Sequence, residues 1–265
     1  MKVLYVSIGK DSNYNEDSVI GRTNMIAVSD GAGGGGLFAD KWSSYLLSKL
    51  PEIPIRNYKE LDDWVDSIWE EFYNKYEEIA KEIGSVELDK FYNEGSLATL
   101  AAIWLYENKF HWLTYGDSTT FVYDFQHKKL VSNIKSLLEY NNPPYLLSST
   151  EPLEKDGILV GEFEENDHCI FFCASDALSH YILASYMISR SEEYDEEVKS
   201  AISIKSKNSN FINAIIQSYP FDFEKDVIIK LLNCSKNRGN FKKHMLKLQR
   251  EGKIAVDDYS ICFIV

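Results

Sequence analysis

The chain has 265 residues, 45% of them hydrophobic and 26% charged, which is enough apolar material for the core of a soluble globular protein. Its 41 acidic and 28 basic residues leave a formal net charge of -13, which argues against nucleic acid as a partner because a phosphate backbone would be repelled. The longest apolar run, Leu97 to Tyr106, is about half of what a membrane helix needs. No signal peptide precedes the polar stretch KDSNYNED, so no membrane association is expected. Cys169, Cys173, Cys234 and Cys262 form no CxxC pair, and three of them lie in apolar surroundings, as free thiols do in a reducing compartment. A cytoplasmic location is expected.

MKVLYVSIG and MIAVSD read as short strands. The second ends in Asp30 and meets a run with five glycines in six residues. LFADKWSSYLLSKL is predicted to be helical. A longer helix follows from about Lys59 to Glu82, where Leu61, Trp64, Val65, Ile68, Trp69, Phe72, Tyr76, Ile79 and Ala80 recur every three or four residues. SLATLAAIWLY, KFHWLTYG, STTFVYDF and KKLVSNI then read as successive strands separated by turn residues. The region from Leu137 to Leu159 is rich in loop signals. DHCIFFCASD is a buried strand ending in Asp176, residues from about Ala177 to Arg250 are mainly helical, and DYSICFIV is a closing strand. Helices thus fall between groups of hairpin-like strands. The expectation is an α+β fold of mainly antiparallel sheets with helices packed outside, in one domain spanning residues 1–265.

The glycine run admits two readings. Gly31, Gly33 and Gly36 fit the GxGxxG of a dinucleotide site, but PEIPIRNYKE makes a poor second strand and Asp30 would oppose a pyrophosphate. No GK[ST] follows to make a phosphate-binding loop. The second reading starts from the acids. Glu16 and Asp17 lie in the loop after the first strand, Asp30 and Asp176 end strands, Asp117 occupies a turn, and Asp257-Asp258 precede the last strand. Gathered at one end of a pair of sheets, these carboxylates would repel one another strongly without a cation. An all-oxygen donor set selects a hard ion, Mg²⁺ or Mn²⁺. Glycine beside Asp30 then lets a backbone carbonyl approach the ion.

In this order the motifs NEDS (Asn15 to Ser18), SDGAGG (Ser29 to Gly34), GSLAT (Gly95 to Thr99), GDST (Gly116 to Thr119), SDAL (Ser175 to Leu178) and DDYSICFIV (Asp257 to Val265) span the chain. The sequence resembles the protein phosphatase 2C family, the metal-dependent Ser/Thr phosphatases. The resemblance implies a four-layer αββα sandwich and a two-metal centre of Mg²⁺ or Mn²⁺, with a third ion in some members. Carried over motif by motif, Asp30 bridges two ions and the Gly31 carbonyl binds one. Asp176 and Asp257 complete the other, Glu16 and Asp17 contact the second directly or through water, and Asp117 corresponds to the acid that helps hold a third. Asp30, Asp176 and Asp257 would be the catalytic acids. The implied reaction is hydrolysis of phosphoserine or phosphothreonine in a phosphoprotein by a metal-activated water.

Three positions depart from the family pattern. Ser12 stands where many members carry a phosphate-gripping arginine, with Lys10 nearby. Ala177 replaces the glycine after the SDGL aspartate, and Ala32 stands where some relatives have histidine. The missing arginine keeps open a second reading, a pseudophosphatase that binds phosphoproteins as a scaffold. His180, four residues after Asp176, reads first as an ordinary surface or capping histidine and second as a proton shuttle, and the lysine-rich stretch from Lys230 to Lys253 reads first as a solvated helix face and second as an attractor of an acidic phosphopeptide. Substrate selectivity is expected in a long, irregular loop from about Gln126 to Glu165.

Overall fold

The computed structural model describes residues 1–11, 14–34, 36–163 and 168–265. Ser12 lies outside them. The chain opens with β1 (Val3–Ile8), β2 (Ser18–Arg22) and β3 (Met25–Ser29), then passes through the glycines into α1 (Ala39–Lys49), α2 (Tyr58–Ile83) and α3 (Ser85–Glu94). Seven strands follow: β4 (Leu97–Ala98), β5 (Leu100–Tyr106), β6 (Lys109–Tyr115), β7 (Thr119–Asp124), β8 (Lys129–Ser132), β9 (Leu147–Ser148) and β10 (Ile158–Phe163). After β11 (Cys169–Ala174) come α4 (Asp176–Ser189), α5 (Ser191–Ser203), α6 (Lys207–Gln217), a π-helical turn (Phe223–Ile228), α7 (Ile229–Cys234) and α8 (Arg238–Arg250). β12 (Tyr259–Ile264) closes the chain.

Ten strands form two five-stranded sheets, ordered β1-β12-β11-β7-β8 and β10-β6-β5-β3-β2, while β4 and β9 pair separately. Every strand pairing is antiparallel. Alternation along the strands assigns each face. On β3, Ile26 and Val28 join Phe171 and Cys173 of β11 in a core between the sheets. Met25 and Ala27 turn the other way, onto Trp42 of α1 and Phe72 of α2. On β11, Ile170, Phe172 and Ala174 face α4 to α8 instead. Three apolar layers separating four layers of structure make the αββα sandwich, and strands buried on both faces explain why β3 and β11 read as unbroken apolar runs. Among the described residues, no helix is long and apolar enough to cross a membrane.

α2 matches the predicted helix to within a residue at either end. Asn57 caps it by accepting from the Glu60 amide at 3.0 Å, and the Glu60 carboxylate accepts from the Arg56 amide at 2.7 Å. β2, α3 and β10 were not evident from sequence pattern. α3 buries a single side chain, Phe91, so it has no apolar periodicity to read. β10 is an edge strand with Leu159 and Val160 exposed. It takes Gly161 because a Cβ there would lie 2.6 Å from the Trp112 ring. With β8, β9 and β10 inside it, the region from Gln126 to Glu165 is not one continuous loop.

Candidate metal centre

The strand register brings the acids together. In one sheet Ser18 pairs with Ser29 and Leu100 with Tyr115, so the start of β2, the end of β3, the start of β5 and the end of β6 share one edge. In the other sheet Ile8 pairs with Tyr259 and Ala174 with Thr119 or Ile261, which does the same for β1, β12, β11 and β7. Asp17 precedes β2, Asp30 follows β3, Asp117 lies where the chain crosses from β6 to β7, Asp176 opens α4 just after β11, and Asp257 precedes β12.

These five carboxyls perturb one another. Burial first, and then Asp17, Asp176, Asp117 and Asp257, hold the Asp30 carboxyl well above the ordinary carboxylate range. Burial and the charge of Asp176 push Asp17 to about 8, and similar causes raise Asp117 to about 7. Asp176 is pushed to about 6 by burial and Asp257, even though a hydrogen bond from Asp30 lowers it. Two carboxyls share a hydrogen bond only if one keeps its proton. Asp30 is the common neighbour of the group.

Asp17 is the most enclosed of the five, at 5% exposure; neither carboxyl oxygen has a hydrogen bond of good geometry, and the nearby Ser175 and Ser260 hydroxyls offset its raised proton affinity only in part. An orphaned buried carboxyl costs free energy unless a proton or a cation satisfies it. Among the described residues, no three acid, histidine or cysteine side chains form a ready-made cage around one ion.

Hydroxyl groups brace the acids from below. The Thr99 amide donates to the Asp30 carbonyl at 2.8 Å, the Asp30 amide donates to Thr99 Oγ1 at 3.2 Å, and Thr99 Oγ1 lies 2.7 Å from Ser118 Oγ, beside Asp117. Near Asp17, the Ser260 hydroxyl donates to Ser7 Oγ at 2.8 Å and the Ser260 amide to Ser175 Oγ at 3.0 Å. Sequence reasoning missed these residues, although each acidic motif carries its own serine or threonine: SDG, GDST, SDAL and DDYS. It also missed the role of Asp258. This carboxylate is buried and accepts from the backbone amides of Lys10 and Glu16, both at 2.6 Å. Asp258 therefore moors the loop that delivers Asp17.

Glu16 is placed differently from the five aspartates. Its carboxylate pairs with Lys10 Nζ at 3.1 Å, and a Cβ at Gly33 would lie 1.5 Å from its Oε1. A carboxylate already fills the cradle that a phosphate would need, which removes the dinucleotide reading of the glycines. Lys10 Nζ also reaches Asp257 at 3.8 Å, so its ammonium is shared between two acids at the rim. His180 is buried, sits edge-on to Tyr140 at 5.3 Å between ring centres, and is held neutral by burial, down to about 4.

Gly31 is fixed by close packing. An added Cβ would lie 2.7 Å from the carbonyl oxygens of both Glu16 and Ala39. The Gly31 carbonyl accepts from the Gly33 amide at 3.1 Å and retains a second lone pair. Gly34 has nothing within 4 Å of such a Cβ. Gly31→Ala is therefore expected to cost about 1–3 kcal/mol by overpacking against backbone, and Gly34→Ala less than about 0.5 kcal/mol, as read by urea unfolding. Equal costs would contradict this placement.

No family model matches the chain, and no curated protein sequence matches it. Solved structures do resemble it. The PPM Ser-Thr phosphatase MsPP from Mycobacterium smegmatis, in complex with cacodylate, is 12% identical with a TM-score of 0.55, over 100% of this chain and 97% of that one. The Mycobacterium tuberculosis serine/threonine phosphatase PstP/Ppp is 17% identical with a TM-score of 0.53, over 98% and 97%. The catalytic domain of PstP in complex with two manganese ions is 16% identical with a TM-score of 0.51, over 98% and 96%. At these identities the likeness is one of fold, and the chain has the αββα fold of the metal-dependent Ser/Thr phosphatases.

Proposed function

We propose that the chain is a metal-dependent protein phosphatase that hydrolyses phosphoserine and phosphothreonine, its catalytic domain spanning residues 1–265. The observation that carries this reading is the buried Asp17, its two oxygens without a well-formed hydrogen bond, inside a group of five aspartates that raise one another's proton affinity. Such a group is costly to keep unless it serves a cation. The donors are all oxygen, which favours Mg²⁺ or Mn²⁺ over zinc. Asp30, the common neighbour, would be shared between two ions, with Asp17, Asp176 and Asp257 around it and the Gly31 carbonyl beside it. Glu16 would take part through water, and Asp117 would serve a third ion. When bound, the ions supply charge for the phosphate oxygens and acidify water for the attack.

The chain's own residues set the geometry for that chemistry. Thr99 and Ser118 hold the Asp30 and Asp117 turns, and Asp258 holds the approach to Asp17. Lys10, 39% exposed, stands at the rim where a phosphate dianion would arrive, and offers the positive charge that an arginine supplies in related sequences.

The test is phosphate release from a phosphothreonine peptide and from p-nitrophenyl phosphate, with Mn²⁺ and with chelator. Turnover that requires Mn²⁺ is expected with both substrates. Mn²⁺ binding without turnover on either would leave a phosphoprotein-binding domain and overturn the catalytic reading.

A further inference from the structure

The charge of this acidic chain is unevenly spread. From Lys230 to Lys253 it carries eight basic residues and one acid, Glu251, against a net charge of -13 for the whole. They lie on α7, α8 and the turns after each, and four of them, Lys230, Lys243, Lys247 and Lys253, line two adjoining cups of about 320 and 390 Å³. Lys230, His244 and Lys247 line both. The larger adds Lys243, Asn233 and Asn240 and has no carboxylate in its wall. The smaller contains Asp226 and Glu251, but Glu251 is already paired with Lys253 at 2.7 Å and Lys247 at 3.6 Å. Lys230 and Lys243 are exposed and make no ion pair among the described residues.

A second observation points the same way. His244 Nε2, in a residue 9% exposed, has no hydrogen-bond partner, and Ser185 Oγ, in a residue 1% exposed, has none of good geometry beside the Tyr181 hydroxyl; both residues line the smaller cup. An unpaired Lys230 shared by both cups, Lys243 in the larger one, and an unsatisfied imidazole that lines both make a site for an oxyanion. We infer that this groove docks an acidic, phosphorylated segment of a protein substrate. The inference extends the phosphatase reading, since it places a substrate contact away from the acid cluster. Lys253 lies four residues before Asp257, so the groove adjoins the segment that leads into the cluster. Small separate cups suit a short flexible chain with discrete anionic groups. A nucleic-acid duplex or an anionic membrane would have to approach the negative remainder of the surface as well.

The experiment is fluorescence anisotropy of a labelled peptide carrying a phosphothreonine among glutamates, measured in chelator so that no turnover is needed. The double variant Lys243→Glu/Lys247→Glu changes two exposed helix positions and is expected to weaken binding about tenfold. Lys243→Gln/Lys247→Gln, a milder change, is expected to weaken it about threefold. Lys242→Glu, exposed on the same helix but outside both cups, should stay within about twofold of wild type. Turnover of p-nitrophenyl phosphate should be unchanged in all three, which separates this docking site from the catalytic reading. The proposal is overturned if the wild type does not bind the peptide, or if the double variant binds it equally well. Lys242→Glu weakening binding as much as the double variant would reduce the effect to overall charge and overturn it too. Tighter binding of phosphatidylserine vesicles or duplex DNA than of the peptide would overturn it in favour of those partners.

Discussion

Asp30→Asn is expected to lower Mn²⁺-dependent phosphate release by about a thousandfold or more, while raising the melting temperature of the metal-free protein. The two effects have one cause. Asp30 is the neighbour common to Asp17, Asp117, Asp176 and Asp257, and its carboxyl is held well above the ordinary range chiefly by burial. Without metal it therefore ionises less readily than a free carboxylate, and its ionised form costs folding free energy. Asparagine has the shape of the neutral form and needs no proton, so the metal-free fold gains stability. It also withdraws the negative charge that two cations would share, and the loss of several kcal/mol of electrostatic stabilisation at the reaction centre gives the thousandfold figure. Mn²⁺ should raise the melting temperature of the wild type and leave that of the variant nearly unchanged. A variant that melts lower without metal would indicate ordinary structural damage, and one that retains activity would remove Asp30 from the centre.

The second large effect is the pH dependence of the metal-free protein. Asp176, Asp117 and Asp17 are raised from 3.8 to about 6, 7 and 8. An acid whose proton affinity is higher in the folded state contributes stability that is fully present below its unfolded value. That contribution is lost as pH rises through the folded value. Metal-free protein should thus weaken progressively between about pH 4 and 8, by an amount on the order of a few kcal/mol, since a tenfold gain in proton affinity on folding is worth about 1.4 kcal/mol and the groups titrate together. His180 and His244 act in the opposite sense. Both are lowered to about 4, mainly by burial, so their contribution is present above 6.5 and is lost as pH falls towards 4. The raised acids outnumber the two histidines, so urea unfolding in chelator should show a net loss of stability as pH rises from about 4 to 8, and the histidines' acid-side decline emerges only when the acids' contribution is removed. Saturating Mn²⁺ should abolish the alkaline decline, because the cation replaces the protons, and should leave the acid decline in place. An alkaline decline that persists with Mn²⁺ would place its origin outside the acid cluster.

The layered fold was readable because the segments that build it are strongly patterned. α2 shows an unbroken apolar stripe, and β3 and β11 are short apolar runs that each end in an acid. The acids were readable as a set because strand ends and turns are where an antiparallel sandwich collects its loops. Their individual orientations were not. Glu16 and Asp17 are adjacent in an extended segment, so their side chains diverge, one to Lys10 and Gly33, the other inward to Ser175 and Ser260. Asp257 and Asp258 divide in the same way, into a half-exposed acid beside Lys10 and a buried one that clamps two amides. No spacing rule distinguishes such neighbours, because the choice is made by strand pairing between β1 and β12, more than 240 residues apart in the chain. The hydroxyl groups beneath the acids escaped notice for a related reason. Serine and threonine are common next to turns, and only the fold shows that Thr99 and Ser118 meet.

The most direct test of the central claim, that the aspartate cluster is built to exchange protons for divalent cations, is calorimetric titration of Mn²⁺ into the metal-free protein at pH 7. The titration is repeated in buffers of different ionisation enthalpy so that released protons are counted. Without metal, burial and Asp176 hold Asp17 at about 8, and burial and the neighbouring carboxyls hold Asp30 well above the ordinary carboxylate range, so the cluster retains protons. Release of roughly one to two protons is expected as Mn²⁺ binds, falling by about one in Asp30→Asn. Mn²⁺ binding with no proton release, or with the same release in Asp30→Asn, would contradict the exchange of protons for cations.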